Sequence, residues 1–214
     1  RETYSESLNR FEPNPDLQPE HLVAMEGGLT TKLGRGELQV VGFHHNLTDA
    51  IRRVTLPDKK RQRVNSDRLR STGIEVLLTQ LVGPVSLGGD LTLQSVHLTD
   101  PGTRVSTRPE NLPERSGSAH VRVPMGSGFT AGAEARYTGA QFCQDPDSGA
   151  DVKLDGGTWV NGNLARTWDL STNLGMLSRM ETRLSAENLS NRALYDQCGL
   201  PRPGRLLRLQ IRLF

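Results

Sequence analysis

Phe129-Thr130-Ala131-Gly132-Ala133-Glu134-Ala135-Arg136-Tyr137-Thr138 alternates with a period of two. Phe129, Ala131, Ala133, Ala135 and Tyr137 fall on one side; Thr130, Gly132, Glu134, Arg136 and Thr138 fall on the other. Successive side chains of a strand point to opposite faces, so the segment predicts a strand with one apolar and one charged face. The pattern recurs to the end of the chain. Leu207, Leu209, Ile211 and Leu213 alternate with Arg208, Gln210 and Arg212; Ala119, Val121 and Val123 with His120 and Arg122; Ile74, Val76 and Leu78 with Glu75 and Thr79. Over 158–168, Val160, Leu164 and Trp168 share a side, but Arg166 shares it with them, while Asn161, Asn163 and Thr167 face the other way.

Read outward from that segment, the 214 residues hold nine candidate strands, at about 20–32, 37–55, 61–82, 89–99, 117–125, 128–142, 157–168, 176–188 and 204–214. No helix of three turns is convincing. Short glycine-containing turns (34–36, 83–89, 125–128, 170–175) alternate with long polar stretches (99–116, 142–157, 189–203), and the compact link near Pro57-Asp58 is the one exception. In an up-and-down sheet every second connection lies at the same end, so one end carries tight turns and the other long loops, as in outer-membrane barrels. Strands of mostly 9–20 residues are longer than the usual 5–6 of a soluble sheet and suit a bilayer, which about 9–11 tilted residues cross. Lipid offers no partner to a backbone N–H, so a spanning sheet must close on itself.

Composition narrows the function classes. Lys and Arg number 26 against 24 Asp and Glu, a net charge of +2, which argues against a nucleic-acid footprint. Mean hydropathy is −0.50, and no window approaches the roughly 18 consecutive apolar residues of a membrane helix; a barrel is not excluded, because its strands are only half apolar. The chain opens Arg1-Glu2-Thr3 without an initiator Met or an export signal, so the expectation is a C-terminal piece of a longer protein with any signal upstream. No Gly-x-Ser-x-Gly, phosphate loop or His-Glu-x-x-His occurs, and no enzyme is expected.

Asn14-Pro15-Asp16-Leu17-Gln18-Pro19-Glu20 followed by Glu26-Gly27-Gly28-Leu29 is similar to the opening of the C-terminal half of the barrel in TonB-dependent outer-membrane receptors. Asn65, Arg70, Gly73 and Glu75, then Asn111-Leu112-Pro113-Glu114 and Tyr137-Thr138-Gly139, resemble later strand entries and exits. Glu187-Asn188-Leu189-Ser190-Asn191-Arg192-Ala193-Leu194-Tyr195 and Pro201-Arg202-Pro203-Gly204-Arg205 look like the signatures before the closing strand, and the chain ends on Phe214. The resemblance covers residues 11–214. It implies an all-β, antiparallel up-and-down meander, part of a 22-stranded transmembrane β-barrel without its plug, with residues 1–19 as an extracellular loop leading into a barrel segment at 20–214. It also implies energised uptake of a scarce ligand, a ferric siderophore or cobalamin, across the outer membrane of a Gram-negative bacterium. The implied partners are outer-membrane lipid, the missing N-terminal barrel half and plug, and the TonB complex through that missing N-terminus; no cofactor and no nucleic acid are implied. Two departures stand out. Aromatics are 5% of the chain, thin for interfacial girdles, and Phe214 falls out of phase with the apolar row that ends at Leu213. The alternative is a soluble all-β ligand- or carbohydrate-binding module, which requires a buried inner core and no detergent; a barrel enzyme such as a lipase is disfavoured by the missing site.

By the implied topology, turns near 34–36, 83–88, 125–128 and 169–175 are periplasmic, and loops 56–60, 99–116, 142–157 and 189–203 extracellular. Cys143 and Cys198 fall in consecutive extracellular loops, where a disulfide and two free thiols are both open readings. Asp145, Asp147, Asp151 and Asp155 form an oxygen-rich loop; it reads either as a calcium holder, with Gly149 where a third ligand belongs, or as a solvated loop of turn formers. His44 and His45 point to opposite faces and so cannot chelate one metal together; His21, His97 and His120 are scattered. Glu75, Arg122, Glu134, Arg136, Arg179, Glu181, Arg183, Arg208 and Arg212 are expected to line a wet interior.

Overall fold

A computed structural model describes residues 11–100, 102–145, 150–170 and 178–214. All regular structure in them is β. The strands are β1 (Phe11–Glu12), β2 (His21–Leu33), β3 (Gly36–Thr55), β4 (Arg61–Val82), β5 (Val85–Thr99), β6 (Ser106–Thr107), β7 (Arg115–Gly126), β8 (Phe129–Thr138), β9 (Gln141–Gln144), β10 (Asp151–Leu154), β11 (Gly157–Asp169), β12 (Arg179–Glu187), β13 (Tyr195–Gln197), β14 (Leu200–Pro201) and β15 (Leu206–Leu213). The main sheet runs β15-β12-β11-β8-β7-β5-β4-β3-β2; β1 joins β4 in parallel and β6 joins β5. Pairs β9–β10 and β13–β14 form separate hairpins. The nine long strands are therefore the nine that period-two alternation predicts, each beside its neighbour in sequence.

Tight turns close one end of these strands. Gly34 and Gly83, at φ +58° and +57°, open two-residue links whose first central residue must take a positive φ, a conformation glycine adopts without penalty. Gly88 and Gly89, expected within a turn, lie instead inside β5. They stay glycine because β7 comes close: a Cβ on Gly89 would stand 2.6 Å from the Ser118 carbonyl, and one on Gly88 would stand 2.5 Å from the His120 ring. The expected strand 128–142 also breaks. β8 stops at Thr138, Gly139 donates to the Arg115 carbonyl at 2.7 Å, and the chain turns away into β9.

The chain divides into two compact units, one of residues 1–27, 42–73 and 94–109 and one of 28–41, 74–93 and 110–214. In the second, register places every apolar row on one face. Val123, Ala131, Leu164, Leu184 and Leu209 stand side by side across five strands, and so do Val121, Ala133, Gly162, Ala186 and Leu207. These rows are exposed: Leu164 is 43%, Ile211 60% and Leu207 68% accessible. Buried apolar residues among those described are Ala50, Val96, Cys143, Ala165 and Leu194, which is no core for a soluble sandwich, whose two inner faces must interlock. The opposite face carries His120, Glu134, Asn161, Ser185 and Arg208, in register with one another or one row apart. Ion pairs at that parity or at the strand ends join Arg136 to Glu134 (2.6 Å), Arg183 to Glu181 (3.2 Å), Arg208 to Glu187 (3.4 Å) and Arg179 to Asp169 (3.6 Å). Phe214 extends the ladder, donating to the Arg179 carbonyl at 2.9 Å, so its register position is that of the charged row.

Candidate functional site

In the second unit the long connections are fastened down by one amide. Asn188 follows β12 and takes φ +50°, a left-handed conformation that asparagine tolerates and most residues do not. Its side chain is 1% exposed. The amide nitrogen donates to the carbonyls of Arg192 (3.0 Å) and Pro203 (3.2 Å), and the amide oxygen accepts from the Arg192 N–H (3.0 Å) and the Ser190 hydroxyl (3.3 Å). All four hydrogen-bonding positions of the amide are thus used. The backbone N–H of Asn188 donates to Asn161 Oδ1 at 3.1 Å. Asn161 in turn donates to Glu134 at 3.2 Å, so the clamp reaches across β11 to β8.

The motif residues around it converge. Leu189 N–H donates to the Val160 carbonyl (2.8 Å), Arg205 Nη2 to the Leu189 carbonyl (2.9 Å), and Arg205 N–H to Asn191 Oδ1 (3.1 Å). A Cβ on Gly204 would stand 3.3 Å from that same Asn191 oxygen. Pro203 supplies a carbonyl to Asn188, and Tyr195 lies in β13 opposite Pro201 of β14. Asn188, Leu189, Tyr195, Pro203, Gly204 and Arg205 therefore form one corner, and Phe214 stands apart from it. Beyond the corner, Cys198 is joined to Cys143 of β9 by a disulfide with a Cα–Cα distance of 5.8 Å, inside the range a disulfide can bridge.

Beside the clamp lies a cleft of about 420 Å³ lined in part by Arg136, Trp159, Asn161, Glu187 and Arg202. The Arg202 guanidinium stands 5.0 Å from the Trp159 ring, and the indole N–H of Trp159 is buried without an acceptor. Two guanidinium groups and an aromatic face, with the Glu187 carboxylate beside them, suit a flat, electron-rich ligand. Alternation marks Trp159 as a polar-side residue, but nothing in the sequence ties it to Arg202, which is 43 positions away.

The first unit contains the other motif. Asn14 Nδ2 donates to the Arg63 carbonyl (2.8 Å) while its Oδ1 accepts from the Asp16 N–H (3.2 Å), and the Leu17 N–H closes on the Asn14 carbonyl (3.3 Å). Asn65 of β4 grips the strap from the other side. It accepts from the Gln18 N–H (2.7 Å) and donates to the carbonyls of Gln18 (2.8 Å) and Asp49 (2.7 Å). Pro15 and Pro19 flank the gripped residues and fix their φ. Glu20 accepts from the Ile51 N–H at 2.7 Å, and Glu26 meets His45 at 2.9 Å. Lys60 donates to Glu12 at 2.8 Å, and that hydrogen bond and charge raise its pKa above the ordinary lysine value.

His44 contacts Thr72 (2.8 Å) and His97 contacts Ser95 (3.1 Å), so with His45 on Glu26 each has a separate partner. No group of three His, Cys, Asp or Glu able to hold a metal occurs among the described residues. Of the acidic loop, residues 146–149, Asp147 included, lie outside the described residues; Asp145 donates its N–H to the Ala150 carbonyl (2.9 Å), and Asp155 pairs with Lys153 (3.7 Å).

Comparison with known proteins gives a family and a fold. The family described as "TonB dependent receptor-like, beta-barrel" matches residues 1–189. Among solved structures, the chain is similar to the FrpB iron transporter of Neisseria meningitidis, with TM-score 0.70 and 16% identity over 94% of this chain and 32% of that one. The ferric-catecholate import receptor Fiu of E. coli K12 gives TM-score 0.69 and 17% identity over 99% and 29%. FpvA of P. aeruginosa, solved with heterologous pyoverdines, gives 0.71 and 12% over 92% and 27%. The chain thus spans about a third of the length of these proteins. No curated protein matches in sequence.

Proposed function

Because this chain belongs to the TonB-dependent receptor-like β-barrel family, we propose that it is the C-terminal part of the barrel of an outer-membrane receptor, and that the receptor takes up a ferric siderophore. The observation that carries the reading is the pairing of exposed apolar rows on one face with ion-paired rows on the other, in a single antiparallel meander with a bare strand at each end. Apolar rows of that extent are stable when lipid covers them, and bare strand edges are stable when further strands of the same wall pair with them. The ion-paired face then lines a wet lumen, and the loop end faces outward.

Residues 1–19 lead from an extracellular loop into the barrel segment of residues 20–214. The clamped loops and the cleft at Arg136, Trp159 and Arg202 form part of the outer binding surface, where an iron complex of catecholate or similar anionic groups would meet cations and an indole. Energy comes from TonB acting on an N-terminal plug that these residues do not include. The chain's own part is wall and loops, and it catalyses no reaction. The names of the similar structures, an iron transporter, a ferric-catecholate importer and a pyoverdine-bound receptor, favour a siderophore over cobalamin.

Deleting the gene in the parent strain and measuring uptake of radiolabelled iron from a panel of ferric siderophores tests the reading. Loss of uptake for one siderophore, restored by the intact gene, is expected. Unchanged uptake of the whole panel, or a protein that stays soluble and monomeric without detergent, would overturn it.

A further inference from the structure

Apart from Arg115 at the loop end of β7, the exposed apolar face of the second unit carries one charged side chain between β7 and β15. Over 117–123, 129–137, 158–168, 180–186 and 207–213 every residue of that parity is uncharged except Arg166. It is half-buried, and no carboxylate among the described residues pairs with it. Its guanidinium lies 3.4 Å from the Trp168 ring centre and 4.7 Å from that of Phe129, and its Nε has no hydrogen-bond acceptor. Two aromatic faces hold the cation in place and leave its charge uncompensated.

Depth along the strand decides what can compensate it. Arg166 pairs with Phe129, the first residue of β8 after its turn, whereas Thr158 pairs with Tyr137 near the other end. Phe129 and Tyr137 are eight residues apart, about 27 Å along a strand and so about 20 Å of depth at a barrel strand's tilt, a few ångströms less than the roughly 25 Å apolar band between two aromatic girdles. If Tyr137 sits at one interface, the Phe129–Arg166–Trp168 cluster lies within a long side chain's reach of the other. A cation there meets lipid phosphates, whereas at mid-depth it would meet hydrocarbon.

We propose that Arg166, held between Phe129 and Trp168, binds the phosphate of an anionic phospholipid at the turn end of the sheet. The planar fork of arginine matches a phosphodiester, and stacking on the indole leaves that fork pre-organised. The lipid's acyl chains lie along Leu164, Leu184 and Ile211. The proposal needs this face to meet lipid, as the receptor reading holds, but not the siderophore; a detergent-independent protein would sink that reading first.

Native mass spectrometry of the full-length protein in detergent, titrated with phosphatidylglycerol, tests it. Wild type is expected to retain one phosphatidylglycerol about five-fold more tightly than Arg166→Gln, with Arg166→Lys between them. Millimolar glycerophosphate should leave the lipid in place. Equal retention by wild type and Arg166→Gln, or displacement by glycerophosphate alone, would overturn the assignment. If Arg166→Gln does not reach the heat-resistant folded form, Trp168→Leu keeps the charge and removes the stacking surface. Weaker retention then supports the site, and unchanged retention refutes it.

Discussion

Asn188 shows what one side chain contributes at the residue scale. Alanine in its place removes the amide partner of the Arg192 N–H and of the Arg192 and Pro203 carbonyls, while the backbone stays in a left-handed conformation. Arg192 and Pro203 are themselves exposed, so water takes over part of the loss, and Asn188→Ala is expected to destabilise the folded form by about 1–2 kcal/mol. Urea titration in lipid vesicles, followed by heat-modifiable gel mobility, measures this. Asn188→Asp is the informative control: it retains the acceptor but turns a buried carboxylate oxygen toward two carbonyls, and should cost at least as much as alanine. Alternation cannot reveal this role. The sequence marks Asn188 by its resemblance to a motif, but its partners Asn161 and Pro203 are 27 and 15 positions away, and a tertiary amide contact leaves no periodic trace.

Among the elements, the long strands were legible because eight or more residues display a period of two, whereas β1, β6, β9, β10, β13 and β14, of two to four residues each, are too short to show any period. Gly88 and Gly89 misled in the opposite direction: glycine marks both turns and close backbone approach, and only the neighbouring strand separates the two. Asn65 holds the N-terminal strap by two hydrogen bonds to Gln18 and makes a third to Asp49 of β3, so Asn65→Ala should loosen the strap at Gln18, seen as about ten-fold faster amide exchange there, with the long strands unchanged. The Lys60–Glu12 contact adds a pH signature. The folded pKa of Lys60 is raised, so its contribution is complete below the unfolded lysine value and fades as pH climbs through the folded one. Protection in the strap, taken relative to the intrinsic base-catalysed exchange rate, should hold constant near neutrality and fall in the alkaline range. The Cys143–Cys198 link closes a separation of 55 residues, which a chain-entropy estimate values at about 4 kcal/mol against the unfolded state. Replacing both cysteines with serine should lower the urea midpoint and expose the β9–β10 hairpin to protease, and peptide mapping without reductant should recover the linked pair.

For the whole molecule, the two faces of the sheet make opposite demands. Leu164 stands in the middle of the apolar rows, flanked by Ala131 and Leu184. An arginine there should cost about 2–4 kcal/mol if the row lies near the bilayer midplane, whereas Thr167→Arg on the charged face, opposite Glu181, should cost well under about 1 kcal/mol. The folded fraction after insertion into vesicles distinguishes them, and equal penalties would mean that the faces are assigned wrongly. The class of fold was readable at this scale because the two periodic faces run the length of the chain. The cleft at Trp159 was not, because it depends on where a loop comes to rest.

The corner at Asn188 also has an evolutionary consequence. Both feet of the 188–205 loop rest on one socket, built from backbone carbonyls and a few small or rigid residues, while the β13–β14 hairpin at its tip is tied by a cystine to β9, which is itself outside the main sheet. Such an attachment separates the history of the crown from that of the wall. Tips of new length and chemistry are exchangeable without disturbing the pairing of the strands below them.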